Sequence, residues 1–501
     1  MKSWLRRAIS NLARRASFDT APKEFHVAVP PRRGSHKLAQ GKRPTGASPW
    51  VRECDTFKSP EGAKLSGSVL KRRPFRASES HWDLHPGRCP GLAYCCPLGA
   101  EPQITATTRI LSRVRVAVLK LLLAIVCLLG FVAASRAEEP LVLDPQQPYS
   151  AERLNPVTYD VEFLVTVTAP YKTKKLRVWL PIPPSDHGQE LLSSELSTFP
   201  DVAKPQIADE PLFGNRFAYF EFANPQGAQV IRHKFRVRSW ELRWQLDSAR
   251  VQTVKQWPKS FAPYQRSESQ AVVSDARFEK LLTEIVPQRR GPLQDLDSVM
   301  TWVDGHFAYD HVKASLKASS IHALEQQRGH CSDYHGFCAA MGRLLGQPTR
   351  VTYGINAFPK SSPSHCKLEA FLPPYGWVSF DVSETQKLSQ SIRSNSELSD
   401  TQRAELLTAA RQRLVSGFRD NTWFVQTRGT DYDLVPKASA RVPVVRTIYA
   451  EADGQPLPEP DPANADQTTF SWMTAHRFEP DHVVKYPFSD FESLRDWSGR
   501  K

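Results

Sequence analysis

The sequence predicts an α+β protein: a β-sandwich domain over residues 150–255, then a domain over 270–390 in which one helix packs on an antiparallel sheet. Three observations lead there. Before residue 245, apolar residues alternate with mostly polar ones in several short runs, the period of half-buried strands. From Pro292 the apolar spacing becomes helical, and a second helical run opens at Cys331. After Pro348 the strand period returns in three short segments.

A polar, proline-containing linker from Glu138 to Ala151 leads into the first strand. There Val157, Tyr159, Val161, Phe163, Val165 and Val167 take alternate positions. Leu176, Val178 and Leu180 repeat the pattern and stop at Pro181-Ile182-Pro183-Pro184. Phe217–Phe222 and Val230–Trp240 form two further strands joined by Asn224-Pro225-Gln226-Gly227. Short strands between turn signals suggest a sandwich. No reactive constellation lies in it, so a spacer or docking role suffices. In the next domain, Leu296, Val299, Met300, Val303 and Phe307 share one face of a helix opened by Pro292. The helix from Cys331 carries Tyr334, Phe337, Cys338, Met341, Leu344 and Leu345 at helical spacing. It stops at Gly346-Gln347-Pro348, a glycine cap followed by proline. Strands Thr349–Ile355, His365–Leu372 and Trp377–Val382 follow, with Pro373-Pro374-Tyr375-Gly376 turning between the last two. Residues 395–490 are expected to complete the core. They hold a helix from Ser399, which can form a capping box with Gln402, to Gly417. Strands at Thr422–Thr427 and Val444–Ala450 and a turn at Asp453-Gly454 come after it.

The net charge of +14 comes from one end of the chain. Residues 1–137 hold 24 Lys and Arg against 8 Asp and Glu, whereas the remainder holds 42 against 44. The folded part is near neutral and shows no basic stripe for phosphates, so nucleic acid is not an expected partner. Arg113, Arg115 and Lys120 precede an uncharged run from Leu121 to Ala134, and Ser135-Arg136-Ala137 supplies small residues for a cleavage site. That is the layout of a secretory signal peptide over 111–137, and it implies a periplasmic or secreted protein. The run of about 14 residues is short of the ~20 that span a bilayer, so an uncleaved membrane anchor is the lesser reading. Cys127 lies in the run without a lipobox before it. Residues 1–110 are basic, low in complexity and hold Cys54, Cys89, Cys95 and Cys96. They read as a disordered tail or as an extension outside the natural product. The second is favoured, with the true start near Val114.

Beyond Ala137 only Cys331, Cys338 and Cys366 remain. An odd number leaves an exported chain with at least one unpaired thiol, a liability unless it is buried or used. Cys331 is the candidate for use. A cysteine attacks carbonyls as thiolate, and a helix N-terminus favours that form. Gly329 permits a tight approach turn and leaves room for a substrate backbone. The Cys331 backbone N–H is a candidate oxyanion donor; for the second donor Gln326 and Gln327 are only weak candidates. His365 opens the second strand of the sheet and Asp381 closes the third. In an antiparallel hairpin those ends are neighbours, which puts a carboxylate behind an imidazole.

Three stretches together resemble the transglutaminase-like superfamily, the circularly rearranged relatives of papain-type cysteine enzymes. They are Gly329-His330-Cys331-Ser332-Asp333-Tyr334-His335, Arg343-Leu344-Leu345-Gly346-Gln347-Pro348-Thr349-Arg350-Val351, and His365-Cys366-Lys367-Leu368-Glu369-Ala370-Phe371-Leu372-Pro373 with Gly376-Trp377-Val378-Ser379-Phe380-Asp381. The resemblance covers about residues 290–385 strongly and implies a papain-like core. It implies a Cys-His-Asp triad of Cys331, His365 and Asp381, acyl transfer through a thioester, a peptide or protein substrate and no cofactor. Lys367 departs from the family, which often has an aromatic residue two positions after the histidine. Pro374 departs in the turn.

Two other readings of the same residues stand beside the enzyme. The fold could serve as a catalytically inactive binding module for peptides or wall polymers. Alternatively, Cys331, His335 and Cys338 share a helix face and, with His365 or Cys366, could hold zinc. Paired Cys-x-x-Cys knuckles are missing, and His365 and Cys366 should point to opposite faces of their strand. Cys338 and Cys366 read as packing residues, and a disulfide between them has no support in the sequence. Asp333 and His335 read as a helix cap or substrate ligands, with the structural role preferred.

Overall fold

The computed structural model describes residues 141–360 and 362–498. The extension at 1–110 and the segment at 111–137, with Cys127, lie outside the described residues. Among the described residues no helix is long and apolar enough to cross a membrane.

Six strands come first: β1 (Glu152–Thr168), β2 (Lys175–Ile182), β3 (Gln189–Phe199), β4 (Gln206–Asp209), β5 (Arg216–Ala223) and β6 (Ala228–Arg243). Helices α1 (Ala276–Ile285) and α2 (Pro292–His306), strand β7 (Ala308–Tyr309), helix α3 (Ser320–Gln326) and strand β8 (Arg328–Gly329) lead to helix α4 (Cys331–Leu344). Strands β9 (Thr349–Asn356), β10 (Ser364–Phe371) and β11 (Trp377–Phe380) follow, then α5 (Val382–Ser394) and α6 (Asp400–Ser416). The chain closes with β12 (Phe418–Arg419), β13 (Trp423–Arg428), β14 (Tyr449–Ala452), β15 (Gln455–Pro456) and β16 (Trp472–Pro480).

The sandwich has one sheet in the order β12-β6-β1-β16, with β3 also on β6, and a second in the order β15-β14-β2-β5-β4. Alternate residues of β1, from Val157 to Val167, lie beside Ile231 and Phe235 of β6 and share one buried cluster with Leu176, Val178, Phe220 and Phe222 of the opposite sheet. The alternation therefore marks the inner face of the sandwich. The run Asn224–Gly227 does not close a hairpin, since β5 and β6 belong to different sheets. Of the C-terminal stretch expected to complete the core, β13 pairs with β9, but β14 pairs with β2 and β16 with β1. β14 thereby extends one sheet of the sandwich and β16 the other, each as a long-range partner.

The core sheet runs β11-β10-β9-β13, all antiparallel. Helix α4 packs across it, and every residue of α4 except Leu344 is buried. Gly346 after it takes φ +83°, as a glycine terminator requires. The capping box of Ser399 and Gln402 is formed at α6. The third core strand is shorter than expected: it ends at Phe380, and Asp381 caps α5 by accepting the Glu384 N–H.

Candidate active site

Cys331 is the first residue of α4. Its approach through Gly329 needs φ +149°, and a Cβ there would collide with the Asp333 carboxylate. The space at Gly329 is thus occupied by Asp333, and no room for a substrate arises from it. Asp333 accepts the His330 N–H at 3.2 Å and is bonded by the Ser315 N–H and hydroxyl, a capping role that fixes the start of α4.

His365 and Asp381 meet as the hairpin predicts. The β10–β11 register pairs Leu368 with Phe380, so its continuation sets Asp381 opposite Lys367 and diagonal to His365. His365 Nε2 lies 2.7 Å from Asp381 Oδ2. His365 and Cys331 line the same cleft, and the charge of each acts on the other. The three side chains are buried, at 8% exposure or less. Asp381 Oδ1 accepts the Glu384 N–H at 3.1 Å, so the carboxylate cannot swing away.

Electrostatics follow this geometry. A hydrogen bond from Cys366 holds the Cys331 thiol well below its usual range; burial opposes this, and His365 and His330 reinforce it. Burial pulls His365 down, but Asp381 and Cys331 together push it up to about 9. Burial would raise Asp381, yet Lys367 and then His365 keep it far below the ordinary carboxylate value. The arrangement therefore favours a thiolate beside an imidazolium beside a carboxylate.

Several neighbours were not legible as site residues. Cys366 does more than pack: its thiol faces His335 and acts electrostatically on Cys331. Its direction is set by His335. The Val382 N–H donates to His335 Nε2 at 3.2 Å, so neutral His335 carries its proton on Nδ1, 3.4 Å from Cys366 Sγ. Burial holds His335 neutral, at about 4. The strand alternation that separates His365 from Cys366 still holds: Cys366 turns towards α4, while His365 and Lys367 turn towards Asp381. Tyr309, on the short strand beside β8, lines the cleft with Cys331. Gln326 and Gln327 do not line the cleft over Cys331, whereas Tyr309, His311, His330, Tyr353, Lys360 and Arg446 do. Tyr309 and Arg446 lie on β7 and in the loop before β14, too far from the motif in sequence to be linked to it without the fold.

The three cysteines are free thiols. Among the described residues, no group of three or more His, Cys, Asp or Glu is arranged to hold a metal. Both nitrogens of His335 already have partners, and burial pushes the Cys338 thiol up. Neither suits the zinc reading.

Residues 279–382 match the sequence profile of the transglutaminase-like superfamily. The chain carries a transglutaminase-like core. That core spans α1 to the start of α5 and contains Cys331, His365 and Asp381. An uncharacterized protein of Haemophilus influenzae is 27% identical over 217 residues, covering 38% of this chain and 57% of that protein. The chain thus spans little more than half the length of that relative. Among solved structures, a candidate cysteine protease from Cytophaga hutchinsonii aligns with a TM-score of 0.47 at 14% identity, covering 68% of this chain and 97% of that one. The periplasmic domain of TgpA from Pseudomonas aeruginosa aligns with a TM-score of 0.25 at 17% identity, covering 49% and 92%.

Proposed function

We propose that this protein is an exported cysteine-dependent amide hydrolase or acyl transferase acting on peptide or protein amides. The observation that carries the reading is His365, which joins Asp381 at 2.7 Å on one side and Cys331 on the other, at a helix N-terminus inside a cleft. In the proposed reaction the Cys331 thiolate attacks the amide carbon. The oxyanion is received by the Cys331 N–H at the start of α4. His365 gives its proton to the leaving amine, and a thioester remains on Sγ. His365 then takes a proton from water or an acceptor amine, which attacks the thioester and releases the thiolate. Asp381 orients His365 throughout. Export rests on the apolar segment at 111–137 and its cleavage site, outside the described residues; amino-terminal sequencing of the exported protein checks it.

The test of the chemistry is the pH dependence of iodoacetamide labelling at Cys331, in wild type and in His365→Ala. Labelling that persists well below pH 7 in wild type and is lost in the variant supports the enzyme. A profile centred near the free-cysteine value of ~8.5 in both would remove the reading and leave a binding module.

A further inference from the structure

We propose that Lys367 and Asp420 are positioning residues: a buried ion pair that pins the Asp381 carboxylate and restrains how strongly it holds the proton of His365. The inference rests on the triad reading above. It starts from the residue that departs from the family pattern. Lys367 Nζ lies 2.6 Å from Asp381 Oδ2, the same oxygen that His365 Nε2 approaches at 2.7 Å. Its second carboxylate is Asp420, at 2.9 Å. Lys367 and Asp420 are each 1% exposed, and neither lines the cleft, so neither meets substrate. The rest of the ammonium faces the rings of Trp423 and Phe488, at 5.1 and 5.3 Å.

Asp420 is itself fixed. Its Oδ1 accepts the Thr422 hydroxyl at 2.5 Å. It directly follows β12, which pairs with β6 of the sandwich. Next to it, the Tyr159 hydroxyl donates to the Asn421 carbonyl and Asn421 Nδ2 donates to Asn155 O. Trp423, two residues further, donates its indole N–H to the His365 carbonyl at 3.2 Å. The segment from β12 to β13 is thus a bracket between the sandwich and the back of the candidate triad, which gives the sandwich a part in the chemistry.

The charges alternate through the interior: Cys331, His365, Asp381, Lys367, Asp420. Other ionisable groups that bear on this row are His335 on α4, 3.8 Å from Asp381 Oδ1, Cys366 on β10, Glu384 on α5 with its partners Lys360 and Lys387, Arg413 on α6, and Tyr486. All of these remain when Lys367 or Asp420 is changed. Lys367 competes with His365 for one oxygen, so its removal should let Asp381 hold the imidazolium more firmly. Loss of Asp420 leaves Lys367 wholly to Asp381 and weakens that hold.

The experiment is the pH profile of iodoacetamide labelling at Cys331, mapped by peptide mass, for wild type, Lys367→Met, Asp420→Asn and the double variant. The inflection at which His365 loses its proton is expected to rise by half a pH unit or more in Lys367→Met and to fall by a similar amount in Asp420→Asn. It should return towards wild type in the double variant, which keeps the buried charge balanced and guards against a single variant that does not fold. A wild-type thiolate–imidazolium profile left unmoved by the foldable variants, with only their melting temperatures lowered, overturns the inference and leaves the triad intact. An ordinary thiol profile in wild type removes the triad, and the inference with it.

Discussion

At the scale of the residue, the three cysteines sit in different surroundings and should react differently. Burial pushes Cys338 and Cys366 up, whereas Cys331 is held down. At pH 6, iodoacetamide is expected to modify Cys331 and to spare Cys338 and Cys366, as peptide mapping would show. Asp381→Asn takes away one of the two charges that together raise His365 from its ordinary 6.5 to about 9. Its histidine titration, followed by NMR, should move down, and turnover should fall by up to about 10⁴-fold, the order lost when a triad carboxylate becomes an amide. The pair also governs stability against pH. His365, raised, stabilises the fold below pH 6.5 and loses this as pH rises through about 9. Cys331, lowered, stabilises it above its ordinary value of 9 and loses this as pH falls. The two slopes cancel between pH 6.5 and 9, so the melting temperature should be level there. In Cys331→Ala the thiol slope is lost and the thiolate no longer helps to raise His365, so the level stretch should disappear. Cys331, His365 and Asp381 were legible because their order and the hairpin bring them together. Cys366, Tyr309 and Lys367 were not, since their roles depend on which way each side chain turns.

At the scale of the element, the most constrained contact is between β9 and β13. His365 pairs across β10–β9 with Gly354, and a Cβ at Gly354 would lie 2.6 Å from the Trp423 ring and collide with the Phe424 carbonyl. Gly354→Ala is expected to cost about 1–3 kcal/mol in chemical denaturation. It should also lower activity at temperatures where the variant is still folded, because Trp423 holds the His365 carbonyl. Elements with a strong local signal were readable: α4 with its glycine terminator, α6 with its capping box, and the alternating strands β1 and β2. Helix α5 was missed because Phe380-Asp381-Val382 continues the strand pattern. Only the side-chain cap of Asp381 on the Glu384 N–H turns the chain into a helix there.

At the scale of the whole molecule, the sandwich is not a separate amino-terminal module. Strands β14 and β16, from beyond the core, are hydrogen-bonded into its two sheets. Sequence periodicity identifies strands but not partners hundreds of residues away, so the pairing of β14 and β16 with the sandwich is not legible in it, whereas β13 joins the core sheet. Removing residues 470–501 would strip β16 from β1 and take out Trp472, which is 3% exposed. Loss of a buried Trp alone costs about 3–5 kcal/mol, and a bare strand edge invites association. The truncated protein is expected to melt earlier and to scatter light on standing, whereas the full chain stays clear.

The β1–β16 pairing also has a consequence in time. Tyr159 meets Pro480, about 320 residues later. As the chain emerges from the ribosome amino end first, β6 can join β1 early, whereas β16 reaches it only after about 320 further residues have been made. The bracket at Asp420, which ties the sandwich to the candidate triad, likewise waits for a late segment. A chain made only as far as β11 therefore lacks both the finished sandwich and the back wall of the candidate site. A nascent molecule should acquire a thiolate at Cys331 only after the segment from Phe418 to Pro480 has been made and folded.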